Sequence, residues 1–158
     1  MRVLIDTNVL VDFLTRRPPY YENARSIIQA CQENQIDGYM AAHSVPDMFY
    51  ILRKDYPVSS RKAMLKYLCG LLTVSAIDRE KLMQALNEES FDDFEDCLQV
   101  QCAKSFQANY IITRNEKDFT GSPIPCIAPD AFCREYLNPG ENSPKQETEQ
   151  GKTPREIP

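Results

Sequence analysis

The chain has 158 residues, 42% of them hydrophobic, with a mean hydropathy of -0.46, which suits one globular domain able to bury a core without disulfides or a structural metal. No apolar run approaches the roughly 18 residues that cross a bilayer, and Met1-Arg2 leads into a strand-like run with none of the regions of a signal peptide, so the expected location is the cytoplasm, with no membrane partner. A formal charge of -5 and a pI near 5.0 exclude a protein that coats nucleic acid by bulk attraction, but not a nuclease, whose carboxylate site is acidic until cations fill it.

Val3-Leu4-Ile5 has the length and β-branched content of a buried strand and stops at Asp6. Val9, Leu10, Phe13 and Leu14 then recur at helical spacing, so strand passes to helix within two residues. Asp6 therefore stands where open α/β folds place their sites, and also where Asp is a favoured helix N-cap. Arg16-Arg17-Pro18-Pro19 breaks the pattern. Ala24, Ile27, Ile28 and Cys31 mark a second helix from about Tyr20 to Asn34, and Gly38 ends that segment. Tyr39 to Ala42 predicts a short strand. Ser44-Val45-Pro46-Asp47 reads as an N-cap, a first-turn proline and an acid at the third helical position, opening a helix with Met48, Phe49, Ile51 and Leu52 on its buried side.

A further helix runs through Ala63, Met64, Tyr67 and Leu68 to Gly70, followed by a strand from Leu71 to Ile77 and a helix capped by Asp78. Ser90 to Asp96 is the most acidic run and opens a helix near Asp92 whose apolar positions are Phe94, Cys97, Leu98, Ala103 and Phe106. Tyr110 to Thr113 is the fourth strand, with Arg114 to Phe119 as its exit loop. Cys126 to Ala128 is a short edge strand, and Pro129 to Leu137 a last helix with Phe132 and Tyr136 facing inward. From Asn138 the residues turn to Pro, Gly, Glu, Gln, Lys and Thr with a single Ile, so residues 1–137 form the domain and 138–158 a disordered tail.

Strands alternating with helices imply right-handed crossovers and a three-layer α/β/α sandwich around a mainly parallel sheet of four to five strands. All strand C-termini then point one way, bringing Asp6 and the Thr113-Arg114-Asn115 loop to a common edge with Asp47, Asp93 and Asp96. Converging carboxylates repel one another unless cations compensate. Hard oxygen ligands select Mg2+ or Mn2+, whose chemistry is phosphoryl transfer or phosphodiester hydrolysis. Six cysteines without a Cys-x-x-Cys pair, and a single His43, give no zinc site of ordinary spacing; the cysteines read as reduced and mostly buried. His43 reads as an ordinary partly buried or surface histidine and Asp12 as a solvated helix residue. Asp93 and Asp96, three apart, share a helix face from which Glu95 turns away. Thr113 and Asn115 can orient a water, and Arg114, Lys117 and Arg53 are candidates for substrate phosphates, although routine surface charge is the better account of Arg53 and Lys54.

Four strings in order, Leu4-Ile5-Asp6-Thr7-Asn8-Val9-Leu10, Ser44 to Lys54, Asp93-Phe94-Glu95-Asp96-Cys97-Leu98-Gln99 and Tyr110 to Phe119, together resemble the PIN-domain nucleases from Met1 to about Leu137. The bacterial branch carrying Asp-Phe-Glu-Asp and Thr-Arg-Asn-x-x-Asp-Phe is the most similar. The resemblance implies a Mg2+- or Mn2+-dependent ribonuclease and kinship with VapC-type toxins, hence an RNA substrate, an antitoxin partner and a homodimer. By position it implies Asp6 and Asp96 as metal-binding acids and Asp47 in a place where many members have Glu. Asn115 falls where many have Asp, so that Asp118, or a water held by Asn115, takes over the fourth ligand position. The rival binding module, a PIN fold acting through RNA or a protein partner without turnover, draws on that same Asn115. A haloacid-dehalogenase-like phosphatase fits poorly, because Asn8 stands where that chemistry needs a second acid.

Overall fold

In the computed structural model, which describes residues 1–138, every strand but the outermost two is buried between helices. The elements in order are β1 (Arg2–Ile5), α1 (Thr7–Thr15), α2 (Tyr21–Gln32), β2 (Asp37–Ala41), α3 (Ser44–Ile51), α4 (Val58–Leu71), β3 (Thr73–Ser75), α5 (Arg79–Leu86), α6 (Phe94–Ser105), β4 (Tyr110–Ile112), β5 (Cys126–Ile127) and α7 (Pro129–Phe132), which runs on into a π-helical turn (Cys133–Leu137). All sheet pairings are parallel and the order is β3-β2-β1-β4-β5. The fold is the expected α/β/α sandwich.

Alternation along the strands builds its two cores. Val3 and Ile5 of β1, Met40 of β2 and Ile112 of β4 pack with Leu10, Ile27, Ile28, Leu68 and Phe132 from α1, α2, α4 and α7. Leu4, Ala41 and Ile111 point to the opposite face, against Val100, Cys102 and Ala103 of α6. Ile5 pairs with Ile112, and Asp6 N donates to Ile112 O at 3.0 Å, so the residues just past β1 and β4 emerge side by side.

Several expectations are corrected. Gly38 does not end a segment; it lies inside β2, where a Cβ would come within 2.5 Å of Cys31 Sγ and 2.7 Å of Leu72 Cδ2. Gly38→Ala is therefore expected to destabilise the fold by about 1–3 kcal/mol, the usual range for overpacking, read as a lowered urea midpoint at unchanged m-value. Gly70 falls within α4, which leaves only Thr73–Ser75 of the expected third strand. Ile51, Phe94 and Tyr136 are exposed by 40–45% and leave the core. Ile51 ends α3 and lines a cleft, Phe94 begins α6 ahead of its buried stretch, and Tyr136 turns outward to meet the Tyr110 hydroxyl at 2.6 Å. Of the free cysteines, Cys31, Cys97, Cys102 and Cys133 are buried and Cys69 is exposed. Among the described residues no helix is long and apolar enough to cross a membrane. The tail from residue 139 lies outside the described residues.

Candidate functional site

Asp6 follows β1 directly, and being 4% exposed it is held by three side chains from three elements. Gln99 Nε2 of α6 donates to Asp6 Oδ1 at 2.9 Å, while Thr113 Oγ1, just beyond β4, donates to Oδ2 at 2.6 Å and Asn8 Nδ2 donates to the same oxygen. Although Asp6 occupies the N-cap position of α1, its side chain makes no capping bond. Burial pushes its pKa up, and the Thr113 and Gln99 hydrogen bonds oppose that rise. Thr7 Oγ1 donates to Ser44 Oγ at 2.8 Å in the interior and ties the start of α1 to the start of α3.

A cleft of about 330 Å³ opens over Asp6, lined also by Asn8, Asp93, Glu95, Asp96, Gln99, Asn115 and Asp118. Asp96 is pushed up to about 7, by burial first and then by the charges of Asp6, Asp93, Asp118 and Glu95. Glu95 is likewise pushed up to about 7, by burial and then by Asp47, Asp6 and Asp93. Glu95 thus does not turn away from the cleft as the helix register suggested. In the first turn of α6 both Glu95 and Asp96 border it, because α3 closes its flank. Asp93 caps α6, with Oδ1 accepting from Glu95 N at 2.7 Å, where the sequence pointed to a start near Asp92.

Asp47 does not line the cleft over Asp6 and Asp96. It belongs to a group with His43 and Glu95, in which one donor atom from each residue lies within 4.8 Å of the others. The expected capping arrangement is absent, because His43 precedes α3, Ser44 is its first residue and the Ser44 hydroxyl is engaged by Thr7. Asp47 carries no capping bond, and its side chain meets that of Glu95. Burial lowers the His43 pKa, against the pull of Asp47 and Asp6.

Arg114 is not free for a phosphate. Its Nε lies 2.6 Å from Asp12 Oδ2 and its guanidinium is stacked 4.3 Å from the centre of the Tyr20 ring. Asp12, taken from sequence as solvated, is 1% exposed and is the buried partner of that pair. Helical periodicity places Asp12 correctly on α1 but carries no information about an arginine 102 positions later that reaches back over it. Thr113, wholly buried, accepts from Asn115 N at 3.0 Å as well as donating to Asp6, so it orders the loop rather than meeting substrate. Lys117 is exposed and borders an adjoining hollow with Asp93, Asp96 and Asp118. Arg53 stacks 3.4 Å from the centre of its neighbour Tyr50 and donates to the Tyr50 carbonyl.

Sequence reasoning missed two residues, Gln99 and Asn8. Gln99 had a signal: it is a polar residue within the buried run from Cys97 to Ala103, three positions after Asp96 on the same helix face. Gln99→Met keeps the side-chain volume and removes the donor to Asp6. If Asp6 ligates a cation, Mn2+ affinity measured by calorimetry is expected to fall about 10–100-fold, the usual effect of losing a group that orients a metal ligand.

A family model described as PIN domain matches residues 2–117. Among solved structures, the chain is similar to a chain of a toxin–antitoxin complex from Klebsiella pneumoniae (20% identity, TM-score 0.61, covering 80% of this chain and 97% of that one). It is also similar to a chain of VapBC2 from Rickettsia felis bound to a DNA fragment from their promoter (14%, 0.61, 81% and 98%). A third similar structure is VapC20 of Mycobacterium tuberculosis, a sarcin-ricin loop cleaving toxin (10%, 0.56, 69% and 86%). At these identities the likeness is one of fold. No curated protein matches the sequence.

Proposed function

The chain belongs to the PIN domain family, and from that premise we propose that it is a Mg2+- or Mn2+-dependent endoribonuclease and the toxin of a toxin–antitoxin pair. The observation that carries the reading is the crowding of carboxylates in the cleft. Asp6, Asp93, Glu95, Asp96 and Asp118 border one space against two arginines, Arg17 and Arg114, and Arg114 is spent on Asp12. Such a donor set fits a hard divalent cation, with Asp6 and Asp96 as ligands, Asp47 on the flank, and Asp93, Asp118 and Asn115 as further candidates. Bound there, the cation supplies Lewis acidity toward a phosphodiester and a water activated at neutral pH.

The residues of the chain supply position. Gln99, Thr113 and Asn8 fix both oxygens of Asp6, so that it presents its carboxylate without rotamer freedom. The Thr113–Asn115 turn brings Asn115 to the cleft as a neutral group able to hold a water. Lys117, free of a buried partner in the adjoining hollow, is the candidate for a substrate phosphate. The neighbours that are toxin–antitoxin complexes support an antitoxin partner for this chain, and a homodimer and a cytoplasmic location complete the proposal.

RNA cleavage tests it. Structured and single-stranded RNA are expected to be cut in the presence of Mn2+ and to survive in excess EDTA. Cutting undiminished by EDTA sinks the metal mechanism. The second reading, a PIN fold that binds RNA or a protein without turnover, draws on Asn115 standing in place of an acid; it predicts no cleavage of any RNA, and micromolar Mn2+ binding that is lost in Asp96→Asn would argue against it.

A further inference from the structure

His43, the only histidine of the chain, has no role in the proposed RNA cleavage. It directly precedes α3, and Asp47 N donates to His43 O at 3.3 Å, so the two side chains rise one helical turn apart, the spacing at which a helix presents two ligands on one side. Facing them from the first turn of α6 is Glu95, whose Oε1 lies 3.9 Å from His43 Nε2. Both ring nitrogens of His43 are sealed from solvent and neither has a hydrogen-bond partner. An imidazole enclosed in this way forfeits its hydrogen bonds to water and gains none in return. Two carboxylates beside it offer acceptor oxygens and still do not close on it; they lie within reach of each other instead, so three potential ligand atoms converge within 4.8 Å.

We propose that His43, Asp47 and Glu95 form a second cation site on the flank of the cleft, one that takes a first-row divalent ion, Zn2+ above Mn2+, in preference to Mg2+. Imidazole nitrogen is a poor ligand for Mg2+, an acceptable one for Mn2+ and a good one for the later ions of the row such as Zn2+. With ligand bonds of about 2.0–2.2 Å a tetrahedral ion holds its donors roughly 3.4 Å apart. The donors here span up to 4.8 Å, a difference that rotation of the half-buried Asp47 and Glu95 side chains closes. The site deepens the metal-dependent reading of the cleft, because Glu95 borders both groups, but it does not depend on RNA being the substrate.

The test is the electron-spin-echo spectrum of the full chain loaded with Mn2+. The expected result is modulation from a directly coordinated imidazole nitrogen, which His43→Gln abolishes. Calorimetry is expected to show Zn2+ binding weakened at least about tenfold by His43→Gln, on the scale of lost metal-site groups, with Mg2+ affinity within twofold of its starting value. A spectrum of the unsubstituted protein without nitrogen modulation overturns the proposal, even if the variant does not fold. Nitrogen modulation that persists in a folded His43→Gln protein overturns it as well. Absence of RNA cleavage alongside a nitrogen signal overturns the nuclease reading and leaves this site standing.

Discussion

Asp6→Asn is expected to lower RNA cleavage at saturating Mn2+ by at least about a thousandfold, equivalent to roughly 4 kcal/mol of transition-state stabilisation, while the melting temperature stays level or rises. The two halves of this expectation have separate causes. Activity falls because the charge held at the end of β1 is the fixed corner of the carboxylate cluster, and an amide binds a hard cation weakly. The fold survives because the three donors around Asp6 are adaptable. Thr113 and Asn8 both address Oδ2, so an amide oxygen turned that way keeps them. The amide nitrogen then faces Gln99, whose Oε1 is buried with no partner, and a half-turn of the Gln99 amide converts its donation into acceptance. Removing a buried charge whose pKa is already pushed up by burial relieves the folded state of a desolvation penalty. Circular dichroism melts and cleavage assays on the same preparation check both halves. Full cleavage by the variant would refute the role of Asp6, and collapse of the fold would refute the account of its hydrogen bonds.

The parallel sheet and the edge on which the site lies were legible in the sequence because both follow from the alternation of strands and helices and from the parallel crossover rule, whereas the strand order was not. Val3 to Ile5 ends at Asp6, Tyr110 to Ile112 ends at Thr113, and parallel pairing through Ile5 and Ile112 leaves those two ends no choice but to meet. The acids of α6 were legible for a similar reason, as a run at a helix start. What the sequence withheld was contact between side chains far apart in the chain. The burial of Asp12 depends on Arg114, the orientation of Asp6 depends on Gln99, and the company of His43 depends on Glu95. Register alone also misdirected the reading of Glu95, since a helix wheel shows which residues share a face but not which second helix closes over the next one. The apparent capping box at Ser44 failed because the Thr7 hydroxyl, 37 residues earlier, competes for the serine.

Stability of the metal-free protein is expected to fall as pH rises from 6.5 to 8, and Mn2+ is expected to reverse the fall. Glu95 and Asp96, ordinarily near 4.5 and 3.8, are both raised to about 7 in the fold, by burial and by neighbouring carboxylates. An acid whose pKa is higher folded than unfolded contributes its full stabilisation below the unfolded value and loses it as pH climbs through the folded one. His43, lowered by burial, acts in the opposite sense below its ordinary 6.5, so the acids are read above that point. Both acids are partly open to solvent, and with screening the loss amounts to about 1 kcal/mol, or roughly 2–4 °C in Tm. Mn2+ binds the ionised carboxylates and competes with protons for them. At a hundred times its Kd it adds about 2.7 kcal/mol, a rise of roughly 5–10 °C at pH 8, and far less at pH 5, where the acids are protonated. Asp96→Asn should flatten the metal-free profile between pH 6.5 and 8, raise Tm at pH 8, and remove most of the Mn2+ shift. A metal-free Tm that rises across this interval, or a Mn2+ shift as large at pH 5 as at pH 8, would show that the carboxylates are not competing for one charge-compensating ion.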